Sequence, residues 1–184
     1  MKTILIYKSN TGFTKKYVDS IERRLVDIEV VPFKKAKWGK LKNYDTIIYG
    51  GPLRANKIEG LSKLLKRYNK IKDKNIFIFA TGIEPITDSK KEDVIMANGL
   101  EFYHVRFYLL PGGMDYSKMS KLMQKLVVIG LKASAQKQNL NPDDVIARFK
   151  NPVDLTNMDY LDRMIDVYHK VKLDFENKQK EEEK

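Results

Sequence analysis

The chain has 184 residues, 42% hydrophobic and 32% charged, which suits one soluble domain with a single sizeable core and argues against disorder. It has no cysteine, which excludes disulfides, iron–sulfur clusters and thiol catalysis, and its two histidines, His104 and His169, are too far apart to suggest a histidine-rich metal site. Redox chemistry would then fall to a bound organic cofactor, while the net charge of +11 implies either attraction to polyanions or a lysine-solvated surface.

The first residues read as the start of a strand and lack the cleavage site of a signal peptide. No apolar run approaches the ~20 residues that span a bilayer, so a cytoplasmic location is expected. Strands are predicted at 4–8, 28–33, 46–49 (stopped by Gly50-Gly51-Pro52), 76–80 and 103–110. Between them, Tyr17, Val18, Ile21 and Leu25 recur at helical spacing. Leu61, Leu64, Leu65 and Tyr68 form a second stripe, and residues 88–98 a third helix. Short apolar strands separated by amphipathic helices predict a doubly wound α/β fold with a five-stranded parallel sheet and helices on both faces. Its ligand site belongs beyond the carboxyl ends of the strands.

The second half changes character. Residues 116–132 predict a helix whose Met119, Leu122, Met123, Leu126, Val127 and Ile129 make an apolar face, here expected to pack on the sheet. The same face, flanked by Lys118, Lys121, Lys125 and Lys132, would also suit peripheral contact with an anionic membrane. Asn141 and Pro142 mark the start of a short helix, and residues 158–175 a long closing one. The expected organisation is a single domain over residues 1–178, with a helical insertion around 115–150 and a disordered charged tail at 179–184.

The strongest chemical signal is Ser9-Asn10-Thr11-Gly12-Phe13-Thr14, between the first strand and the first helix. Three hydroxyls, a glycine that lets the backbone approach a ligand, and the free N–H groups of a helix start suit a phosphate monoester. The ATP/GTP loop pattern and Gly-x-Gly-x-x-Gly are both absent, which argues against a triphosphate or a dinucleotide. The plainer alternative is an ordinary strand-to-helix turn with a threonine cap.

These residues fill every specified position of Ser/Thr-x-Thr-Gly-x-Thr, the phosphate loop that the segment resembles in flavodoxins. Residues 43–54, ending Gly50-Gly51-Pro52-Leu53-Arg54, resemble the third strand and flavin loop of the menaquinone-dependent protoporphyrinogen dehydrogenase branch. Residues 110–119 and 154–160 look like later segments of that branch. The resemblance implies flavin mononucleotide (FMN) as cofactor, with Ser9, Asn10, Thr11, Gly12, Phe13 and Thr14 around its phosphate. Gly51, Pro52, Leu53 and Arg54 would line one side of the ring, and Thr81, Gly82 and Ile83 the other.

Arg54 matches an arginine of that branch's Ile-Arg-Tyr-Gly motif, which implies a guanidinium near the ring that raises the flavin's potential; Ala55-Asn56 departs from the motif, and the alternative is a solvated loop arginine. The loops offer Leu53, Ile83 and Pro85 where flavodoxins use aromatic side chains. Trp38, Tyr103, Tyr116 and His104 are expected to serve core or surface. The implied activity is an FMN-dependent oxidoreductase that takes electrons from a redox partner protein or small-molecule donor and passes them to a quinone or other acceptor. The alternative is a non-enzymatic electron carrier, whose partners would be acidic. No nucleic-acid motif or basic–aromatic array is present, so specific nucleic-acid binding is not expected.

Overall fold

The computed structural model describes residues 1–182. β1 (Thr3–Tyr7) leads through α1 (Phe13–Arg24) to β2 (Ile28–Pro32), and β3 (Thr46–Arg54) turns tightly into β4 (Lys57–Ile58). A single helical turn, α2 (Leu61–Leu65), precedes β5 (Asn75–Gly82), and α3 (Asp88–Asn98) precedes β6 (Arg106–Pro111). The spatial order is β2-β1-β3-β5-β6, every pair parallel, with β4 added antiparallel to the end of β3. Counting the parallel strands alone gives 2-1-3-4-5, the flavodoxin-like doubly wound arrangement. The predicted five parallel strands are all present; the antiparallel sixth was not foreseen.

Side-chain alternation along the strands feeds two cores. Ile4, Ile6, Ile47, Tyr49, Ile76 and Ile78 face a layer built from Trp38, Leu41, Leu61, Leu64 and Val94. Leu5, Ile48, Phe77 and Phe79 face the other way, against Tyr17, Val18 and Ile21 of α1 and the closing helix.

Two elements differ from expectation for identifiable reasons. β3 does not stop at Gly50-Gly51-Pro52, because β5 continues beside it as far as the pair Pro52↔Thr81. β1 has left the sheet by then, its last pair being Tyr7↔Gly50. Pro52 turns its carbonyl to the vacated flank, where it accepts the Glu59 N–H at 3.0 Å, so the ring removes no donor from the β5 ladder. The helix expected through Tyr68 is broken. Leu61 and Leu64 are buried as predicted, but the chain resumes as a separate 3-10 turn, Tyr68–Lys70.

After β6 the chain leaves the sheet through β7 (Gly113–Met114). It then makes α4 (Lys121–Lys137) and α5 (Pro142–Lys150) and returns through β8 (Val153–Asp154), antiparallel to β7. α4 is capped by Ser120, whose hydroxyl accepts the Met123 N–H at 3.3 Å, and starts five residues later than the sequence suggests. Its main packing partner is α5 rather than the sheet. The Asn141 side chain accepts the Asp143 N–H at 2.9 Å, as the Asn-Pro signal implies.

The closing helix α6 (Asp162–Glu182) buries Met164, Ile165 and Tyr168, and the Tyr168 hydroxyl meets Thr3 Oγ1 at 2.8 Å. Residues 179–182, expected to be disordered, continue this helix; the rest of that tail, 183–184, lies outside the described residues. Among the described residues no helix is long and apolar enough to cross a membrane.

The neck of the excursion is tied to α1. Lys16 is ion-paired with Asp154, the Leu155 N–H reaches Gly112 O at 2.8 Å, and the Tyr17 hydroxyl donates to Pro111 O at 2.5 Å. Burial pushes the Tyr17 phenol up to about 12, keeping it a donor throughout the physiological range. The Lys16 ammonium, helped by Thr156, lowers the Asp154 carboxyl to about 2 from 3.8. As pH falls, the unfolded chain therefore takes up this proton first. The stabilisation is complete above pH 3.8 and disappears as pH approaches 2. Both groups are about half exposed, so Asp154→Asn is expected to cost about 0.5–1 kcal/mol at pH 7. Urea unfolding at pH 7 and pH 2 checks this: the gap between the two proteins should close at the lower pH.

Candidate functional site

The carboxyl ends of β1, β3 and β5 open into a cleft of about 230 Å³. Ser9, Asn10, Thr11, Phe13 and Thr14 line it from the first loop, Pro52, Leu53 and Arg54 from the second, and Thr81, Gly82 and Ile83 from the third. The structure thus brings together eleven of the thirteen residues singled out from the sequence. Neither Gly12 nor Gly51 lines the cleft, and Gly51 is buried behind the wall, where Ile58 and the Glu59 carbonyl pack against it.

The first loop is built to leave donors free. Gly12 is the N-cap of α1 with φ 98°, a left-handed conformation that glycine adopts without strain. No side chain caps the helix and its first turn holds no acidic residue. Ser9 Oγ accepts the Lys15 N–H at 3.3 Å, and the N–H groups of Phe13 and Thr14 have no partner among the described residues. Thr14 Oγ1 meets Thr81 Oγ1 at 2.8 Å, both residues buried, which joins the first loop to the third. One hydroxyl of that pair donates to the other, so one proton stays available for a ligand.

The second wall is the β3–β4 hairpin. Its two turn residues, Ala55 (φ 45°) and Asn56 (φ 63°), are both left-handed, the type I′ geometry that suits the twist of a two-residue hairpin. The Asn98 amide donates to Asn56 O at 2.7 Å while its oxygen accepts the Ile58 N–H at 2.9 Å, and Lys90 Nζ donates to Asn56 Oδ1 at 2.6 Å. The hairpin is therefore fastened to α3. Alanine in the left-handed region costs about 1–2 kcal/mol, partly offset for glycine by its larger unfolded-state entropy. Ala55→Gly should stabilise the protein by about 0.5–1 kcal/mol, raising the melting temperature by about 1–4 °C in a calorimetric scan. A fall in melting temperature would contradict the turn assignment.

Glu59 is the residue that sequence reasoning missed. Its carboxylate pairs with Lys8 at 2.7 Å and Arg54 at 2.5 Å and accepts from the Asn10 amide at 3.0 Å. Burial opposes its charge, but the Lys8 and Asn10 hydrogen bonds and the Arg54 charge outweigh this and hold it below the ordinary carboxylate range. The guanidinium expected beside a ring is thus already ion-paired, although it shares the single charge of Glu59 with Lys8. The other cations nearby are ion-paired too: Lys15 pairs with Asp19, Lys16 with Asp154 and Lys90 with Glu84. An anion entering this end of the cleft would meet hydroxyls and backbone N–H groups.

The far wall is apolar. Met114, Met119, Met123 and Val127 reach in from β7, α4 and the turn between them, and Phe149 from α5. With Phe13, Phe149 supplies aromatic surface that the loops alone do not offer. Pro85 does not reach the cleft. Trp38 is buried in the core, Tyr103 stacks edge-on with Tyr68, and neither Tyr116 nor His104 lines the site, as expected.

A doubly wound parallel sheet, with an uncapped glycine-started helix facing a cleft at its carboxyl edge, defines an α/β protein whose first strand-to-helix turn leaves backbone donors free. The family model described as "Flavodoxin domain" matches residues 4–141, and the chain belongs to that family. No curated protein matches the chain. Similar solved structures include the Trp repressor binding protein of Bacillus subtilis, at 13% identity and TM-score 0.47 over 60% of this chain and 85% of that one. A flavodoxin, WrbA-like protein from Agrobacterium tumefaciens matches at 17% identity and TM-score 0.43 over 54% of this chain and 69% of that one. The flavodoxin of Fusobacterium nucleatum bound to flavin mononucleotide matches at 17% identity and TM-score 0.39 over 62% and 72%.

Proposed function

We propose that the protein is an FMN-dependent oxidoreductase of the protoporphyrinogen dehydrogenase type, with a quinone as electron acceptor. The observation that carries this reading is the convergence of three loops on one cleft, with an uncapped helix start at one end and an apolar wall at the other. The residues present fit the cofactor. The free Phe13 and Thr14 N–H groups, the spare proton of the Thr14–Thr81 pair and the hydroxyls of Ser9 and Thr11 would hold the phosphate, with Gly12 allowing close backbone approach. Leu53, backed by Pro52 and Gly51, and Thr81-Gly82-Ile83 would line the ring, Leu53 resting against Gly82. Arg54, paired with Glu59, would fix the hairpin more than it would charge the ring.

When bound, FMN supplies the electron transfer. The chain's own part is to orient the ring and keep water from it, and Met119, Met123, Val127 and Phe149 supply an apolar surface for a flat, hydrophobic substrate. On the outer side of α4, Leu122, Leu126 and Ile129 stay exposed beside Lys121 and Lys125, which supports peripheral contact with an anionic bilayer that carries the quinone. The second reading, an electron carrier between proteins, is favoured by the net charge of +11, which would draw acidic partners. Anaerobic turnover separates the two. Oxidation of protoporphyrinogen coupled to menaquinone-analogue reduction, weakened by Val127→Asp, is the expected result. Electron shuttling between redox proteins without any porphyrinogen turnover would overturn it.

A further inference from the structure

We infer that the outer surface of residues 33–74 is the docking face for an acidic protein. This stretch holds eleven lysines and two arginines against Asp45, Glu59 and Asp73, so it carries +10 of the chain's +11. The fold gathers the charge on one side, because Trp38, Leu41, Leu61, Leu64 and Ile71 from this stretch all pack into the same core layer. Of its thirteen cations, Arg54 and Lys74 are ion-paired and the other eleven have no acidic partner among the described residues. Lys2, Lys35, Lys37 and Lys40 line a surface cleft of about 310 Å³ there.

The composition of the face selects the occupant. None of the chain's exposed large hydrophobic residues falls between 33 and 74, so the face offers nothing to insert into a bilayer. Its aromatic rings are buried or half-buried, Phe33 beneath Lys8 and Lys63 and Tyr68 against Tyr103. The face is far richer in lysine than in the arginine that reads phosphates, and it places the Glu29 carboxylate inside the cleft. Mobile, well-solvated lysine charges suit steered encounter with a surface of Asp and Glu.

The face is also continuous with the candidate site. Lys8 and Lys63 stand 5.9 and 5.5 Å from the Phe33 ring, Lys63 and Arg67 stand 5.3 and 5.9 Å from Trp38, and Lys8 shares Glu59 with Arg54 at the cleft mouth. A protein seated on these charges therefore borders that mouth. That it exchanges electrons there rests on the proposed function; the docking face itself does not.

The test uses fluorescent poly-L-glutamate as the acidic probe, read by anisotropy without any need for flavin. Lys35→Glu/Lys37→Glu/Lys40→Glu is compared with Lys121→Glu/Lys125→Glu/Lys132→Glu, which lowers the net charge equally on α4. The first variant should lose at least about tenfold in affinity and most of the salt dependence, and the second less than about threefold. If the first variant fails to fold, Lys35→Gln/Lys37→Gln/Lys40→Gln replaces it, with the same ranking expected. Equal losses in the two variants would reduce the effect to net charge and overturn the assignment. So would duplex DNA that binds at physiological ionic strength, where polyglutamate does not, and is lost in the first variant alone.

Discussion

Replacing Gly50 by alanine is expected to lower the melting temperature by about 6–12 °C, the equivalent of about 3 kcal/mol. Gly50 lies in the middle of the sheet, with Tyr7 on β1 and Phe79 on β5 as its cross-strand partners. A Cβ there would clash with the rim of the Phe79 ring around Cζ, with Cε1 at 2.5 Å and Cε2 at 2.7 Å. Phe79 has no exposed surface and is held among Leu5, Tyr17 and Phe77, so the ring has nowhere to go without displacing α1 or prising β3 from β5. Gly50 O also accepts the Lys8 N–H at 2.8 Å, so any shift of β3 reaches the start of the 9–14 loop. Thermal unfolding monitored by circular dichroism checks the effect. Gly39→Ala, where an added Cβ meets nothing within 4 Å, should be near neutral, and Phe79→Leu should restore part of the loss in the Gly50→Ala background. A Gly50→Ala protein as stable as the parent would contradict the packing of the central strand.

Thr14→Val should separate phosphate recognition from ring recognition. With Thr81 donating to Thr14 and Thr14 to the phosphate, valine, which has nearly the same shape but neither donates nor accepts, would remove the ligand's donor and leave the buried Thr81 hydroxyl without a partner. A hydrogen bond to a charged group is worth about 1.5–3 kcal/mol, so FMN affinity should fall about tenfold or more. Riboflavin, which has no phosphate, should bind as before. The orphaned Thr81 hydroxyl should also cost the fold about 1–2 kcal/mol. Equal weakening of FMN and riboflavin would place Thr14 away from the phosphate.

Much of the scaffold was legible because its signals are local. The helix over Asp88–Asn98 and the Asn141-Pro142 start appear where capping and periodicity put them. The buried faces of α1 and α6 follow their apolar spacing. Where the signal was non-local, it failed. Gly50-Gly51-Pro52 reads as a stop, and only the continuing β5 and the returning β4 make it strand. Ala55-Asn56 carries none of the glycine that announces a type I′ turn.

Glu59 could not be found from spacing, because Lys8, Asn10 and Arg54 come to it from two separate loops. α4 was ambiguous for a different reason. Its apolar residues fall on two sides, and only its contact with α5 turns Met123 and Val127 toward the cleft while leaving Leu122, Leu126 and Ile129 outside. The loop of residues 9–14 was visible as a motif. That its neighbouring cations are already paired was not.

This last point sharpens the central claim, that the turn from Ser9 to Thr14 holds the FMN phosphate through neutral donors and a helix start. Titrating the purified protein with FMN and with riboflavin, following flavin fluorescence at low and physiological salt, tests it most directly. The account predicts that FMN binds at least about a hundredfold more tightly than riboflavin, the effect of about two charged-group hydrogen bonds. It also predicts that added salt changes this preference little. Equal affinities for the two flavins, or no flavin binding at all, would contradict it.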